Sequence, residues 1–243
     1  MGILDVERAM RAATQPAKAA AKSVEPMTTL SNTLGARMRT HRENASTSVR
    51  ELARRIGVSP SLISQIEHGR VRPSVETLWR IASELGLSVD SFFGEDERPA
   101  ATVVQSDAAV ALVPAAATGK VVQPHQTRKK IQLSGGVSWE RLTPAADEQV
   151  EFLFVTYQPG SESCCKDSLL RHGGREYATV LTGRFGITIG FEDYELGPGD
   201  SIAFESHNPH RIYTIGKQPA TAIWVIINRG SDVRDNDMRG GGQ

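Results

Sequence analysis

The chain has 243 residues, which is long enough for two domains. Hydrophobic residues make up 39% and charged residues 23%, the formal net charge is zero, and no apolar run is long enough to cross a membrane. The two cysteines are adjacent, which excludes a disulfide framework and, with no secretory signal expected in the first thirty residues, favours a cytoplasmic protein.

Patterns along the chain divide it into five segments. Residues 1–27 are rich in alanine and are predicted to form a disordered tail. Residues 28–94 have apolar residues at helical spacing, which predicts an all-α domain, and residues 95–122 have the composition of a linker. Residues 123–230 contain short β-type runs bounded by Gly, Pro, Asn or Asp, which predicts an all-β barrel or sandwich. Residues 231–243 are predicted to form a second disordered tail.

Charge is distributed unevenly between these segments. Residues 34–80 contain nine arginines and only four glutamates, whereas residues 95–243 contain fifteen basic and nineteen acidic residues. A basic front and an acidic back indicate that the helical segment meets a polyanion and the β segment does not.

The helical segment contains two short helices separated by a tight turn, in VRELARRIGVSPSLISQIEHGR, residues 49 to 70. Gly57 can adopt the turn conformation that ends the first helix, Ser59 can cap the second, and Pro60 suits its first position. Leu62, Ile63 and Ile66 supply the apolar stripe that packs the second helix on the first. This arrangement is a helix-turn-helix.

The same residues resemble the XRE (lambda-repressor-like) helix-turn-helix family over residues 32 to 94, and imply a five-helix domain that binds double-stranded DNA. By this resemblance the helix from about Ser59 to Glu67 enters the major groove. Arg50 and Arg70 would then contact phosphates, and Val49 departs from the polar residue found there in many members. The resemblance assigns base contacts to Ser59, Ser61, Ser64 and Gln65. An alternative use of such a domain is protein contact, with the arginines as solvated surface.

The stretch RHGGREYATVLTG, residues 171 to 183, places His172 four residues before Glu176, ahead of a strand and a glycine. Together with PGD at 198–200 and Pro-His at 209–210, it resembles the cupin superfamily over residues 123 to 228. The resemblance implies a small antiparallel jelly-roll barrel. It makes the whole chain similar to bacterial regulators that pair an XRE domain with a cupin sensor.

Carried over by position, the cupin metal ligands fall on His172, Glu176 and His210, and the fourth falls on Leu170, which cannot coordinate a metal. Two histidines and a carboxylate can still hold a divalent metal with open positions. The alternative is a metal-free pocket in which the three side chains bond one another or an effector. A histidine made cationic by the neighbouring glutamate would suit an anionic effector such as a carboxylate.

Three functions are compatible with these features. The first is a transcriptional regulator that binds a pseudo-palindromic operator as a homodimer and responds to a small-molecule effector in the barrel, without enzymatic activity. The second is a metal-dependent cupin enzyme, such as a dioxygenase or an isomerase, with a DNA-binding appendage. The third is a constitutive DNA-binding protein whose barrel serves only to dimerise. Operator, effector and the sign of regulation are not encoded in any motif.

Overall fold

A computed structural model describes residues 33–94, 121–147 and 149–227, which belong to one compact unit. The predicted tails at 1–27 and 231–243 and nearly all of the predicted linker at 95–122 lie outside the described residues. The proposed domain boundaries therefore stay predictions, although the change from helices to strands occurs between the described ranges as expected.

The front half consists of short helices, each begun by a capping hydroxyl. None of the described helices is long and apolar enough to cross a membrane. The side chains of Thr33, Ser48, Ser59 and Ser74 accept hydrogen bonds from backbone N–H groups in the first turns of the four α-helices. The resemblance implies five helices, and the fifth helical element is a short 3-10 helix instead of an α-helix. The helices are α1 (Leu34–Asn44), α2 (Val49–Ile56), α3 (Pro60–Glu67) and α4 (Val75–Glu84), followed by the 3-10 helix Val89–Phe93.

The predicted helix-turn-helix is formed by α2 and α3. Gly57 ends α2 in the left-handed conformation, with φ of 72°, and Ser59 caps α3 with Pro60 as its first residue. Ile63 and Ile66 are completely or almost completely buried, so one face of α3 is held against the other helices. Its opposite face carries the residues predicted to contact DNA.

The back half consists of two antiparallel sheets that face each other. The larger sheet has the order β1-β2-β3-β9-β4-β7 and the smaller has the order β6-β5-β8. Burial alternates along β3, β4 and β9, as expected for strands with one face toward a core. The strands are β1 (Lys130–Gln132), β2 (Val137–Arg141), β3 (Val150–Tyr157), β4 (Arg175–Thr182), β5 (Phe185–Ile189), β6 (Glu192–Leu196), β7 (Ser201–Glu205), β8 (His210–Thr214) and β9 (Ala220–Ile227).

Gly183, which follows β4, occupies a turn that no other residue type would fit. Its φ is 71°, and an added Cβ would lie 2.3 Å from the carbonyl oxygen of Pro219. The glycine of the cupin-like motif is therefore required by close backbone approach, and it brings the end of β4 against the start of β9.

The helical half is docked on the barrel through buried polar contacts. Glu151 in β3 accepts hydrogen bonds from the Ser88 hydroxyl and from the backbone N–H of Val89, both at 3.0 Å. Asp90 in turn accepts from the backbone N–H of Asp147 at 2.8 Å and lies 3.7 Å from the guanidinium of Arg141. These contacts place the start of the 3-10 helix against the end of the larger sheet where β2 passes into β3.

Candidate functional site

The exposed face of α3 carries the predicted base-contacting side chains, but they are not equivalent. Gln65 is exposed, and its amide donates to the Ser61 hydroxyl at 3.0 Å. The Ser59 hydroxyl accepts from the backbone N–H of Leu62 at 3.1 Å, so it caps the helix. Ser64 is only half-exposed. Gln65 and Ser61 are thus the best-presented groups for base contact, which remains a prediction for all four residues.

Arg50, in the first turn of α2, and Arg70, three residues after the end of α3, are both exposed, and phosphate contact remains a prediction for both. Val49, the departure from the family pattern, is half-buried and packs against the helical core. The structure thus gives Val49 a packing role at the first position of α2.

A buried ion pair that sequence reasoning missed sets the position of α3. The guanidinium of Arg42 in α1 donates to both carboxylate oxygens of Glu67, at 2.6 and 2.9 Å, and to the carbonyl of Thr47. Such a bidentate pair fixes geometry as well as adding energy. The sequence identifies Glu67 only as the end of the recognition helix, and no sequence pattern pairs it with Arg42, 25 residues away.

The three predicted barrel residues come together in the interior. The Nε2 atoms of His172 and His210 lie 3.0 and 3.2 Å from the same carboxylate oxygen, Oε1 of Glu176. One ligand atom from each residue lies within 4.8 Å of the others. Oε1 is fully buried and accepts no well-oriented hydrogen bond among the described residues. We call these three residues the triad.

Neighbouring groups orient each member of the triad. The Nδ1 atoms of His172 and His210 lie 3.0 and 2.9 Å from the carbonyl oxygens of Gly173 and Asn208. Because a carbonyl only accepts, each Nδ1 carries a proton, and each ring turns its Nε2 atom toward Glu176. The indole N–H of Trp224 donates to the second oxygen, Oε2, at 2.7 Å.

The electrostatics of the triad favour a negative or neutral cluster. Burial raises the pKa of the Glu176 carboxyl, but the interactions with His172 and His210 in their protonated forms, together with the Trp224 indole, outweigh it and hold that pKa below its ordinary value. Burial lowers the pKa of His210, and the attraction of Glu176 only partly offsets this. At neutral pH the carboxylate is therefore ionised and His210 is neutral.

Apolar residues surround the strands that carry the triad. Ala178 and Val180 share the buried face of β4 with Glu176, and Ile212, two residues after His210 on β8, lines the cavity. Leu170 lines the same cavity, and its backbone pairs with that of His210. The fourth metal-ligand position of the family is thus occupied by an alkyl side chain pointing at the triad.

Sequence reasoning missed the aromatic residue that covers the triad. Trp79 in α4 stacks on the His172 ring, with centroids 4.4 Å apart and planes at 7°. Trp139 in β2 meets Trp79 edge to face. No local pattern connects a tryptophan of the helical half with a barrel histidine 93 positions later, so only the tertiary structure reveals this contact.

Comparisons with known proteins support the domain types assigned to both halves of the chain. Residues 38–92 match the helix-turn-helix family HTH_3, and residues 153–226 match the Cupin_2 cupin domain. The chain is 29% identical over 178 residues to the HTH-type transcriptional regulator PuuR of Escherichia coli, covering 72% of this chain and 84% of PuuR. It is 24% identical over 202 residues to SutR, another HTH-type transcriptional regulator of E. coli, covering 83% and 98%.

A solved structure has a similar fold over most of the chain. An HTH_3 family transcriptional regulator from Vibrio cholerae superposes with a TM-score of 0.54 at 23% identity, covering 82% of this chain and 96% of that one. This likeness shows the fold, and the two domain matches show the components. The chain therefore belongs to the transcriptional regulators that join an XRE-type helix-turn-helix domain to a C-terminal cupin domain.

Proposed function

We propose that this regulator binds a pseudo-palindromic operator as a homodimer and that a small-molecule effector in its barrel controls its affinity for DNA. The observation that carries the proposal is the pairing of an exposed α3 face, centred on Gln65, with a buried polar triad in the attached barrel. The two E. coli relatives, both named as transcriptional regulators, support the same role, and a cytoplasmic location belongs to it.

Dimer formation is supported by the outward face of the larger sheet. Phe152 in β3 and Tyr177 in β4 both pair with Val225 of β9, so the three side chains form an apolar row across the sheet. Phe152 is 37% exposed and Tyr177 is 39% exposed. Helix-turn-helix domains of this type read half-sites one helical turn apart, about 34 Å, as symmetric pairs. A second copy covering this row would bring two α3 helices to one operator.

The triad also fits a divalent metal. The Nε2 atoms of both histidines converge on Oε1 of Glu176, a buried oxygen that accepts no well-oriented hydrogen bond within the described part of the chain, and a divalent cation would bind these three atoms once both Nε2 atoms are deprotonated. His172, Glu176 and His210 would be the ligands, with Trp224 and the carbonyls of Gly173 and Asn208 orienting them. Bound there, the metal would act as a Lewis acid with open positions for an effector.

The charge of the effector depends on that metal. A cationic histidine, the original reason to expect an anionic effector, is not supported at His210, whose pKa burial lowers. A metal would restore the preference for an anion. The cleft next to the triad also carries Arg55, Arg80 and Arg171, of which Arg55 and Arg80 are paired with glutamates. We infer an anionic effector for the metal-bound protein.

A metal held by three protein ligands would have coordination positions open to a substrate. A metal-dependent cupin enzyme with a DNA-binding appendage is therefore a second candidate function. Its specific support is the 2-His-1-carboxylate set, a combination that holds iron in non-haem oxygenases. A third use of the barrel, dimerisation alone, would leave the triad without a ligand. Substrate turnover by the metal-loaded protein would favour the enzyme, and a ligand screen without effect on stability or DNA affinity would favour the third.

Selection from random DNA with the full chain tests the proposal. We expect enrichment of sites with two related half-sites about 10 base pairs apart, centre to centre. Thermal-shift screening of carboxylates and amines, with and without a divalent metal, then identifies the effector. Recovery of no sequence preference would contradict sequence-specific binding, and recovery of single half-sites would contradict the dimer.

A further inference from the structure

The helical domain supplies part of the wall of the barrel cavity. Trp79 and Val75, one turn apart on α4, line the cavity together with the triad. The Trp79 indole lies flat on the imidazole of His172, at 4.4 Å between centroids, and so covers one face of that ring. A residue of the DNA-binding domain therefore contacts a residue of the effector site directly.

Trp79 also separates two spaces. The cavity at the triad has a volume of about 20 Å³, room for roughly one water molecule. A larger cleft of about 370 Å³ lies beside it, between α2, α4 and the barrel segment 169–172. Trp79, Leu170 and His172 line both spaces and form the partition between them. An occupant larger than a water molecule or an ion reaches the triad from this cleft only if the partition moves.

Polar contacts tie α4 to the barrel next to Trp79. The Ser168 hydroxyl donates to the carboxylate of Glu76 at 2.5 Å, and the backbone N–H of Glu76 donates to the carbonyl of Ser163 at 3.2 Å. Arg80 contacts Ser168 and also donates to the carbonyl of Ile56, the last residue of α2. Displacement of Trp79 would disturb these contacts. Because Arg80 is hydrogen-bonded to both Ser168 and the end of α2, a shift of α4 would also change its contact with the first helix of the helix-turn-helix.

We propose that Trp79 is the gate of a composite effector site formed by the triad and the cleft, and that an effector displaces it from His172 and loosens α4 from the barrel. The effector is then a small polar molecule of the size of the cleft, with one group at the triad. Docked α4 leaves the exposed face of α3 free for DNA, so the docked state is the one that binds the operator. This inference rests on the proposed function, namely that the barrel binds an effector.

A matched pair of histidine variants of the full chain tests the link to α4. His172→Ala removes the stacking partner of Trp79, whereas His210→Ala removes an imidazole from the same triad that makes no ring contact with Trp79. Hydrogen exchange of the amides of Val75–Glu84 should be about 2- to 10-fold faster in His172→Ala. His210→Ala should exchange like the wild type, and His172→Phe, which keeps the stack, should do the same.

Two outcomes would contradict the proposal that the stack of Trp79 on His172 holds α4 against the barrel. Equal acceleration in His172→Ala and His210→Ala would mean that any damage to the triad loosens α4. Acceleration in His172→Phe equal to that in His172→Ala would mean that the stack is not the connection. Neither comparison needs DNA, so a failure of operator selection would remove the proposed function without deciding the gate.

Chemical labelling tests the gate as a barrier. Diethyl pyrocarbonate should modify His172 severalfold faster in Trp79→Ala than in the wild type, relative to the exposed His125 in the same molecule. Ile81→Val, which trims a buried residue of the same helix, controls for general loosening of the helical domain and should leave the His172 rate unchanged. An unchanged rate in Trp79→Ala, or the same increase in Ile81→Val, would show that Trp79 is not the gate.

Discussion

Hydrogen-bond partners decide the role of individual side chains in both halves of this protein. The carbonyls of Gly173 and Asn208 hold the Nδ1 protons of the two triad histidines and so turn both Nε2 atoms toward Glu176. On α3, the Ser59 hydroxyl is already engaged as a helix cap, whereas the Gln65 amide is exposed beside Ser61. Residue type already favours Gln65, whose amide can bond two edge atoms of adenine, and the cap hydrogen bond of Ser59 separates the two residues further.

Substitution of Gln65 should alter sequence preference at one position of the operator. A glutamine amide can bond two edge atoms of adenine, so Gln65→Ala should cost roughly 1–3 kcal/mol at that position and relax the preference there. Binding to the selected operator and its single-base variants measures this effect. As a control, Arg50→Ala should weaken all sequences alike and reduce the salt slope by about one. Unchanged specificity in Gln65→Ala would contradict the proposed register of α3.

Restoring the missing ligand should strengthen metal binding. Leu170 lines the cavity at the triad, so Leu170→His should raise the affinity for Co²⁺ by at least about tenfold, a gain comparable to the effects of neighbouring groups on metal sites. Titration followed by visible absorption, and metal content by mass spectrometry of untagged protein, provide the measurement. Leu169→His places the same side chain one residue earlier, where it lines the outer cleft, and should bring no gain. No gain in Leu170→His would mean that the site no longer has metal-binding geometry.

Among the helices, α1 decides where the recognition helix lies. Gly35 of α1 meets the C-terminal end of α3 so closely that a Cβ would lie 2.1 Å from the carbonyl oxygen of Ile66. Seven residues later on the same helix, Arg42 holds Glu67 in a buried ion pair. The close backbone approach and the buried ion pair together fix the C-terminal end of α3 against α1, and the exposed face with Ser61 and Gln65 stays free to meet DNA.

Adding one methyl group to α1 should disturb this packing. Alanine favours a helix over glycine by about 1 kcal/mol, but the clash is with backbone, which cannot rotate away. Gly35→Ala should therefore lower the free energy of unfolding by roughly 1–3 kcal/mol and weaken operator binding. Denaturant unfolding and DNA titration measure the two effects. Gly197→Ala is the matched control, because a Cβ there meets only Asp200 at an ordinary 3.7 Å. Wild-type stability in Gly35→Ala would contradict the close approach.

Across the whole molecule, buried carboxylates join the helical domain to the barrel. Glu151 of β3 accepts from Ser88 and Val89, and Asp90 of the 3-10 helix lies against Arg141 and the backbone of Asp147. Both carboxyl side chains are almost completely buried. Burial of Asp90 penalises its charged form, so this interface should respond to pH.

The stability of the molecule should therefore fall as Asp90 ionises. Burial raises the pKa of Asp90 from 3.8 to about 6, despite the Asp147 N–H and the Arg141 charge. The folded state then binds the proton more tightly than the unfolded chain, so this carboxyl stabilises the fold at low pH and the contribution is lost as pH rises toward 6. Asp90→Asn should remove roughly 1–3 kcal/mol of that decrease.

The free energy of unfolding in urea is measured at about pH 4.5 and at about pH 7, and the decrease between these two values is compared between the wild type and Asp90→Asn. The lowered pKa of Glu176 has the opposite sign, because that carboxylate stabilises the fold at higher pH, but it is common to both proteins and cancels. Asp167→Asn, at an exposed carboxylate, should behave like the wild type. A decrease of wild-type size in Asp90→Asn would assign the pH dependence to another group.

The amino-acid sequence by itself determined the two domains, their fold classes and the core of each candidate site. Local signals were sufficient there: helical spacing of apolar residues, Ser59 and Pro60 at the start of α3, Gly57 in its turn, and short β-type runs bounded by turn residues. The triad was also predicted, because its members follow a motif of fixed spacing, and Leu170 was identified as the missing ligand. These features depend on residues close together in the chain or tied to a strand register.

Only the tertiary structure decided how the two halves meet. Arg42 with Glu67, Asp90 with Arg141 and Trp79 with His172 are 25, 51 and 93 positions apart, and each joins separate elements. Periodicity and motif spacing report which face of an element is buried, not which element covers it. The docking of α4 over the barrel, and with it the gate at Trp79, follows from packing between distant segments, which no local pattern encodes.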